Sequence, residues 1–222
     1  MNFVIFDFCE TLVRFQTADR FVDFVIQKEN HRKYQWIDFV SRMLYRLKII
    51  TIINKVFPKL NPSKRLKLFQ IRGIKTATLE ALAEAYYIQE IMPNLILPIY
   101  ELLQQHIIQN DYIIIISGGY SPYIKLFTEQ YHLKKYFATE IGITSEKVSG
   151  FFLGKDCLYE QKVVLLNKYV RENNIVFNKS IAYSDSISDL PLLQWADEAF
   201  VISKEHSQTW ASTYGFKEII HD

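Results

Sequence analysis

Two short apolar runs that end in carboxylates constrain this chain more than any other feature. Val4, Ile5 and Phe6 lead into Asp7, Phe8, Cys9, Glu10, Thr11 and Leu12; Ile181, Ala182 and Tyr183 lead into Ser184, Asp185, Ser186, Ile187, Ser188 and Asp189. An apolar run without polar alternation reads as a strand buried on both faces, the habit of parallel sheets. Two such strands deliver Asp7, Asp185 and Asp189 to one sheet edge. Acids gathered there repel one another unless a cation sits among them, and hard oxygen ligands favour Mg²⁺.

With 222 residues, 49% of them hydrophobic, the chain can form one domain, or one domain carrying an insertion. The net charge of +2 implies no polyanionic partner, so no nucleic acid is expected. The first residues lack the basic start and long apolar stretch of a signal peptide, and no run is apolar enough for a membrane span. Cys9 and Cys157 are the only cysteines; they make no disulfide framework, and a reducing cytoplasm is the expected setting. The histidines show no paired ligand spacing, which argues against zinc.

Further strand-like runs lie at 112–116 and 199–202, with helix-like stretches at 95–109, 122–131 and 158–172. This alternation predicts an α/β fold, a Rossmann-like parallel sheet binding its ligand beyond the carboxyl ends of the strands. The interval from Arg14 to Met92 holds no strand pattern, and helical spacing recurs at 21–27, 36–47, 66–71 and 79–88. It is expected to be an inserted all-helical cap over residues 14–92, closed by Pro93, on a core of residues 1–13 and 93–222. Residues 14–95 carry 15 basic against 7 acidic side chains, the remainder 11 against 17. A basic lid over an acidic base suits a small anionic substrate, although solvated helix faces would look the same. The apolar segment 47–58 either packs inside the lid, makes a homodimer contact through the cap, or touches a membrane surface.

Taken in order, Asp7-Phe8-Cys9-Glu10-Thr11-Leu12, Ser117-Gly118-Gly119, a helix-borne Lys162, and Ser184-Asp185 followed by Asp189 resemble the motifs of the haloacid dehalogenase superfamily of phosphatases. The branch they resemble is the phosphoserine phosphatase-like one, with a helical cap between the first and second motifs. Ser-Gly-Gly alone is a weak signal; four motifs in order, each at the end of a strand or on a helix, are a strong one.

The resemblance implies a phosphatase using Mg²⁺ as cofactor and a small phosphorylated metabolite as substrate. Asp7 would attack phosphorus and form an aspartyl-phosphate. Asp7, the backbone carbonyl of Cys9 and Asp185 would hold the metal, with Asp189 as outer support or a helix N-terminal acid. Ser117 and the amides of Gly118 and Gly119 would bind phosphate oxygens, Ser117 doubling as a helix cap. Lys162 would neutralise charge, with Lys155 as its competitor. Thr11 would steady Asp7 or serve only structurally, and Glu10 would have no catalytic task unless an unusual turn made it, like metal-bound water or a substrate ammonium, the donor to the leaving group. Asp19 would meet a substrate amine or act as a helix-capping acid; Arg20 and Arg72 are candidates for a second anionic group.

Cys9 departs from the family pattern, which has a second aspartate there as leaving-group acid and water-activating base. A thiol with a reference pKa of about 8.5 is a poor substitute. General acid–base catalysis contributes about 10²–10⁴ in rate, so a slowed enzyme is expected rather than a dead one. A non-catalytic phosphate-binding or interaction protein is the alternative.

Overall fold

The computed structural model describes residues 1–29 and 61–222, together with Met43 and Arg46. The helix expected over 36–47 and the apolar segment 47–58 therefore fall outside the described residues, the two isolated helical positions Met43 and Arg46 apart.

Six strands form one parallel sheet in the order β3-β2-β1-β6-β7-β8. They are β1 (Phe3–Phe6), β2 (Tyr112–Tyr120), β3 (Lys135–Thr139), β6 (Ser180–Ser184), β7 (Glu198–Lys204) and β8 (Lys217–His221). A hairpin of β4 (Ile141–Thr144) and β5 (Lys147–Phe152) stands apart from it. β1 is central, with Phe3 opposite Tyr112 on one side and Ser180 on the other, and Phe6 opposite Ile115 and Tyr183. Val4 and Phe6 enter one hydrophobic cluster, Phe3 and Ile5 the other. Burial on both faces is why β1 carries no polar alternation.

Between β1 and β2 lie the helices α1 (Thr17–Glu29), α2 (Pro62–Phe69) and α3 (Thr76–Tyr86), and no strand among the described residues. Phe21, Val22, Phe24 and Val25 of α1, and Leu79, Ala83 and Tyr86 of α3, are buried at helical spacing. These side chains join the same cluster as Val4 and Phe6. Phe21 lies 5.2 Å from both Tyr86 and Tyr123, ring centre to ring centre, so α1 and α3 pack onto α5 (Ser121–Gln130). A π-turn at Tyr87–Ile91 and a short 3₁₀ turn containing Pro93 end the insertion before α4 (Leu97–Ile108). Among the described residues the remaining α-helices are α6 (Glu160–Glu172), α7 (Leu190–Trp195) and α8 (Thr209–Thr213).

Sequence patterning missed β3, the hairpin and β8. β3 and β8 are edge strands that begin with lysine and are only partly buried. The hairpin turns through Ser145 and Glu146, with φ of 49° and 57°. Asn-Gly is the sequence signal for such a turn, and it is absent here.

Candidate active site

The order β2-β1-β6 decides which residues meet. Asp7 N–H donates to Tyr183 O at 2.9 Å, so the ladder between β1 and β6 carries Asp7 to the strand ends. Asp185 follows β6, and Ser117 lies in β2 beyond Ile115, the partner of Phe6. A cleft of about 200 Å³ opens there, lined by Asp7, Cys9, Ser117, Gly118, Lys162, Asp185 and Asp189 among others. It sits at the crevice where the strand order reverses about β1, the binding position of open α/β sheets.

Lys162 occupies a core position on α6, one turn before Leu166. A buried ammonium is costly unless paired. Its Nζ donates to Asp189 Oδ2 at 2.5 Å and lies 3.1 Å from Asp7 Oδ1. Burial alone would lower the Lys162 pKa, but the Asp189 and Asp7 carboxylates outweigh it and push it up. Asp189 Oδ2 also accepts from Ser184 Oγ at 2.6 Å.

The carboxylates remain undercompensated. Burial pushes Asp7 up to about 6, with Lys162 opposing and Asp189 adding to the rise. Burial and the Asp7 charge push Asp185 up to about 8. Asp7 Oδ1 and Asp189 Oδ1 are buried without an aligned hydrogen bond, the Asp7–Lys162 contact being an ion pair. Surplus buried negative charge, with carboxylate oxygens that no hydrogen bond satisfies, fits a divalent cation. Among the described residues no three His, Cys, Asp or Glu side chains form a ready-made metal cluster. Ligands beyond Asp7 and Asp185 would be a backbone carbonyl, that of Cys9, and water.

Cys9 Sγ faces a polar relay that its sequence position did not announce. It lies 3.0 Å from Thr17 Oγ1 and 3.6 Å from Ser117 Oγ. Thr17 Oγ1 is 2.7 Å from Tyr123 OH, which accepts from Tyr120 N–H. Burial, then the Asp7 charge, push the thiol up to about 11.

The remaining candidates divide between the cleft and its surroundings. Thr11, expected to steady Asp7 or to serve only structurally, is fully buried outside the cleft lining and bonds Asp185. The reason is the parallel pairing of β1 with β6, which brings the two strand ends together. Glu10 turns outward with φ of 53° and accepts from Gln16 Nε2. Lys155 is exposed and does not line the cleft. Arg20 and Arg72 stack on Phe15 and Phe69 outside the cleft. Asp19 does line it, from the first turn of α1.

Gly118 permits a close approach: a Cβ there would come within 2.4 Å of Leu158 Cδ2. Sequence reading missed Lys64, which reaches the cleft wall from α2. Its only signal is a lysine at a buried helical spacing, one turn before Leu68.

The chain matches the family described as haloacid dehalogenase-like hydrolase over residues 4–194, and it belongs to that family of hydrolases. No curated protein matches it. Its fold is similar to a Bordetella pertussis Tohama I protein of unknown function, 18% identical, covering 98% of this chain and 97% of that one, with a TM-score of 0.79. A phosphoserine phosphohydrolase-like protein from Francisella tularensis is 19% identical, covers 99% and 95%, and has a TM-score of 0.62. A probable phosphoserine phosphatase from Vibrio cholerae, unliganded, is 17% identical with a TM-score of 0.65; 98% of this chain spans 60% of that one. Among the described residues, no helix is long and apolar enough to cross a membrane.

Proposed function

We propose that this chain is a phosphoric monoester hydrolase that acts on a small phosphorylated metabolite through Asp7. The observation that carries the reading is Lys162 Nζ at 3.1 Å from Asp7 Oδ1, in a cleft shared with Ser117 and Asp185. Phosphoserine phosphatase names among the similar structures support a phospho-amino acid, with amino-alcohol and sugar phosphates in the same chemical class. Residues 1–13 and 93–222 would be the core and 14–92 the cap.

Asp7 is the nucleophile: an oxygen–phosphorus bond forms on its carboxylate as the bond to the leaving oxygen breaks. That oxygen takes a proton from water or from the substrate's own ammonium group, and a second water hydrolyses the aspartyl-phosphate to phosphate and free Asp7. Lys162 keeps Asp7 ionised and offsets repulsion between carboxylate and phosphate. Ser117 Oγ and the Gly118 amide receive phosphate oxygens, while the Gly119 amide is held by Ser117 Oγ. Asp7, the Cys9 carbonyl and Asp185 would hold Mg²⁺, with Asp189 behind them. When bound there, the metal would supply the remaining positive charge. Cys9 contributes little as acid or base, because burial keeps its thiol neutral.

The same buried thiol favours one alternative, a phosphate-binding or interaction protein with impaired catalysis. Mg²⁺-dependent phosphate release from an aryl phosphate separates the two, since an aryl oxide leaves without protonation. Turnover in the wild type and loss in Asp7→Asn is the expected result. Equal, background-level release from both would favour the binding protein.

A further inference from the structure

Lys64 is the one cationic side chain that α2 contributes to the cleft wall, and its position suggests a substrate ligand. Its bonds argue otherwise. A lysine ammonium has three donors. All three are taken by the protein: Gly118 O at 2.5 Å, Thr139 Oγ1 at 2.9 Å and Asp156 Oδ1 at 2.5 Å. Asp156 is held a second time by the residue preceding α2, Asn61 Nδ2 donating to its Oδ2 at 3.3 Å. Thr139 Oγ1 adds a 2.5 Å bond to Asp156. The ammonium and the carboxylate are both nearly inaccessible, their side chains 8% and 7% exposed. Tyr120 and Phe152 rings flank it at 5.2 Å. Lys64 thus has nothing left to donate to an anion.

What it holds, together with Thr139 Oγ1 at 3.2 Å from the same Gly118 oxygen, is the orientation of one peptide plane. The Gly118–Gly119 bond is trans, since the described residues include no cis peptide bond. In a trans peptide the carbonyl and the N–H point to opposite sides. With Gly118 O turned to Lys64, Gly119 N–H faces the other way and donates to Ser117 Oγ at 3.2 Å. Because Ser117 Oγ accepts there, its own proton is left for Cys9 Sγ, 3.6 Å away, or for an anion in the cleft. A peptide between two glycines meets little steric resistance to rotation, so the sequence alone does not lock this plane.

We propose that Lys64, anchored by Asp156, is a positioning residue that sets the Gly118–Gly119 peptide and so orients the Ser117 hydroxyl toward a phosphoryl group. It thereby ties α2 to the phosphate-binding loop. This inference rests on the phosphatase reading above.

The test is binding of inorganic phosphate in the presence of Mg²⁺, measured by calorimetry and as competitive inhibition of aryl phosphate hydrolysis. Inorganic phosphate has no leaving group, so a residue that contacts only the leaving group cannot affect it. Lys64→Met should weaken phosphate binding about tenfold, the scale of one lost hydrogen bond to a charged group. Asp156→Asn should weaken it in the same direction. The double variant Lys64→Met/Asp156→Asn leaves no unpaired buried charge, which guards against misfolding; it should lose no more than Lys64→Met alone, because both residues act through one carbonyl.

Undiminished phosphate binding in a folded Lys64→Met or double variant would overturn the proposal. So would a raised KM for larger substrates with unchanged phosphate inhibition, which would make Lys64 a leaving-group ligand. Wild-type protein that binds no phosphate would overturn the phosphatase reading and this inference together. Wild-type binding with no effect of Lys64→Met would overturn this inference alone.

Discussion

Thr11 and Asp185 hold each other twice: Thr11 Oγ1 donates to Asp185 Oδ1 and accepts from Asp185 N–H, both at 3.0 Å. The pair stitches the turn after β1 to the turn after β6, and it fixes one carboxylate oxygen relative to Asp7. Thr11→Val should cost about 1–3 kcal/mol of stability, from the unpaired buried groups it leaves. It should weaken Mg²⁺ affinity more than it lowers kcat at saturating metal. Thermal unfolding and metal titration of activity would check this. Equal metal affinity in the two proteins would show that the pair does not orient Asp185.

Cys9 offers a second test. Cys9→Ala removes a thiol that is already neutral and inert, so it should change kcat far less than Asp7→Asn. Cys9→Asp should raise turnover of alkyl phosphates, by about 10² if general acid catalysis is restored. Aryl phosphates should gain much less, because their leaving group needs no proton. A Cys9→Ala enzyme as inactive as Asp7→Asn would make the thiol essential.

Metal removal should expose the strain among the acids. Asp7 and Asp185 have folded pKa values raised to about 6 and about 8, above a reference near 3.9. A raised carboxylate pKa contributes stability that is complete below the unfolded value and is lost as pH rises through the folded one. Metal-free protein should therefore lose stability from about pH 4 to pH 8. Mg²⁺ should stabilise it more at pH 8 than at pH 5, because binding requires ionised ligands. Melting temperatures across pH, with EDTA or with Mg²⁺, would show a widening gap. A constant gap would mean that these carboxylates are not the metal ligands.

Asp111 works in the opposite sense. Burial pushes its carboxyl up, but hydrogen bonds from Asn2 N–H, His106 and the Asn2 side chain outweigh burial and hold it below the ordinary carboxylate value. A lowered pKa contributes stability that is present above the unfolded value and lost as pH falls through the folded one. Acid unfolding should therefore be shallower in Asp111→Asn, which should also cost about 1–3 kcal/mol at neutral pH. Guanidinium titrations at pH 7 and pH 3 would measure both.

The sequence by itself determined the parallel core and the identity of its acids. β1 and β6 are apolar because both faces are buried, so they are visible without any long-range information, and Asp7 and Asp185 follow them directly. Ser117 and Lys162 were legible only through the resemblance of their motifs to the family's, since Ser-Gly-Gly and a helix-borne lysine are weak signals by themselves. Edge strands β3 and β8 were not, because half-buried short runs that begin with lysine lack that patterning.

Only the tertiary structure decided who partners whom. Thr11 meets Asp185 across 174 positions, and Lys64 meets Gly118 across 54. Hydrogen bonds at such separations depend on strand order and on helix docking, which leave no periodic trace in the chain. The step from Thr17 to Tyr123, across 106 positions, is of the same kind. Local patterning records what a residue buries; the geometry of the assembled sheet and helices decides what its polar atoms can reach.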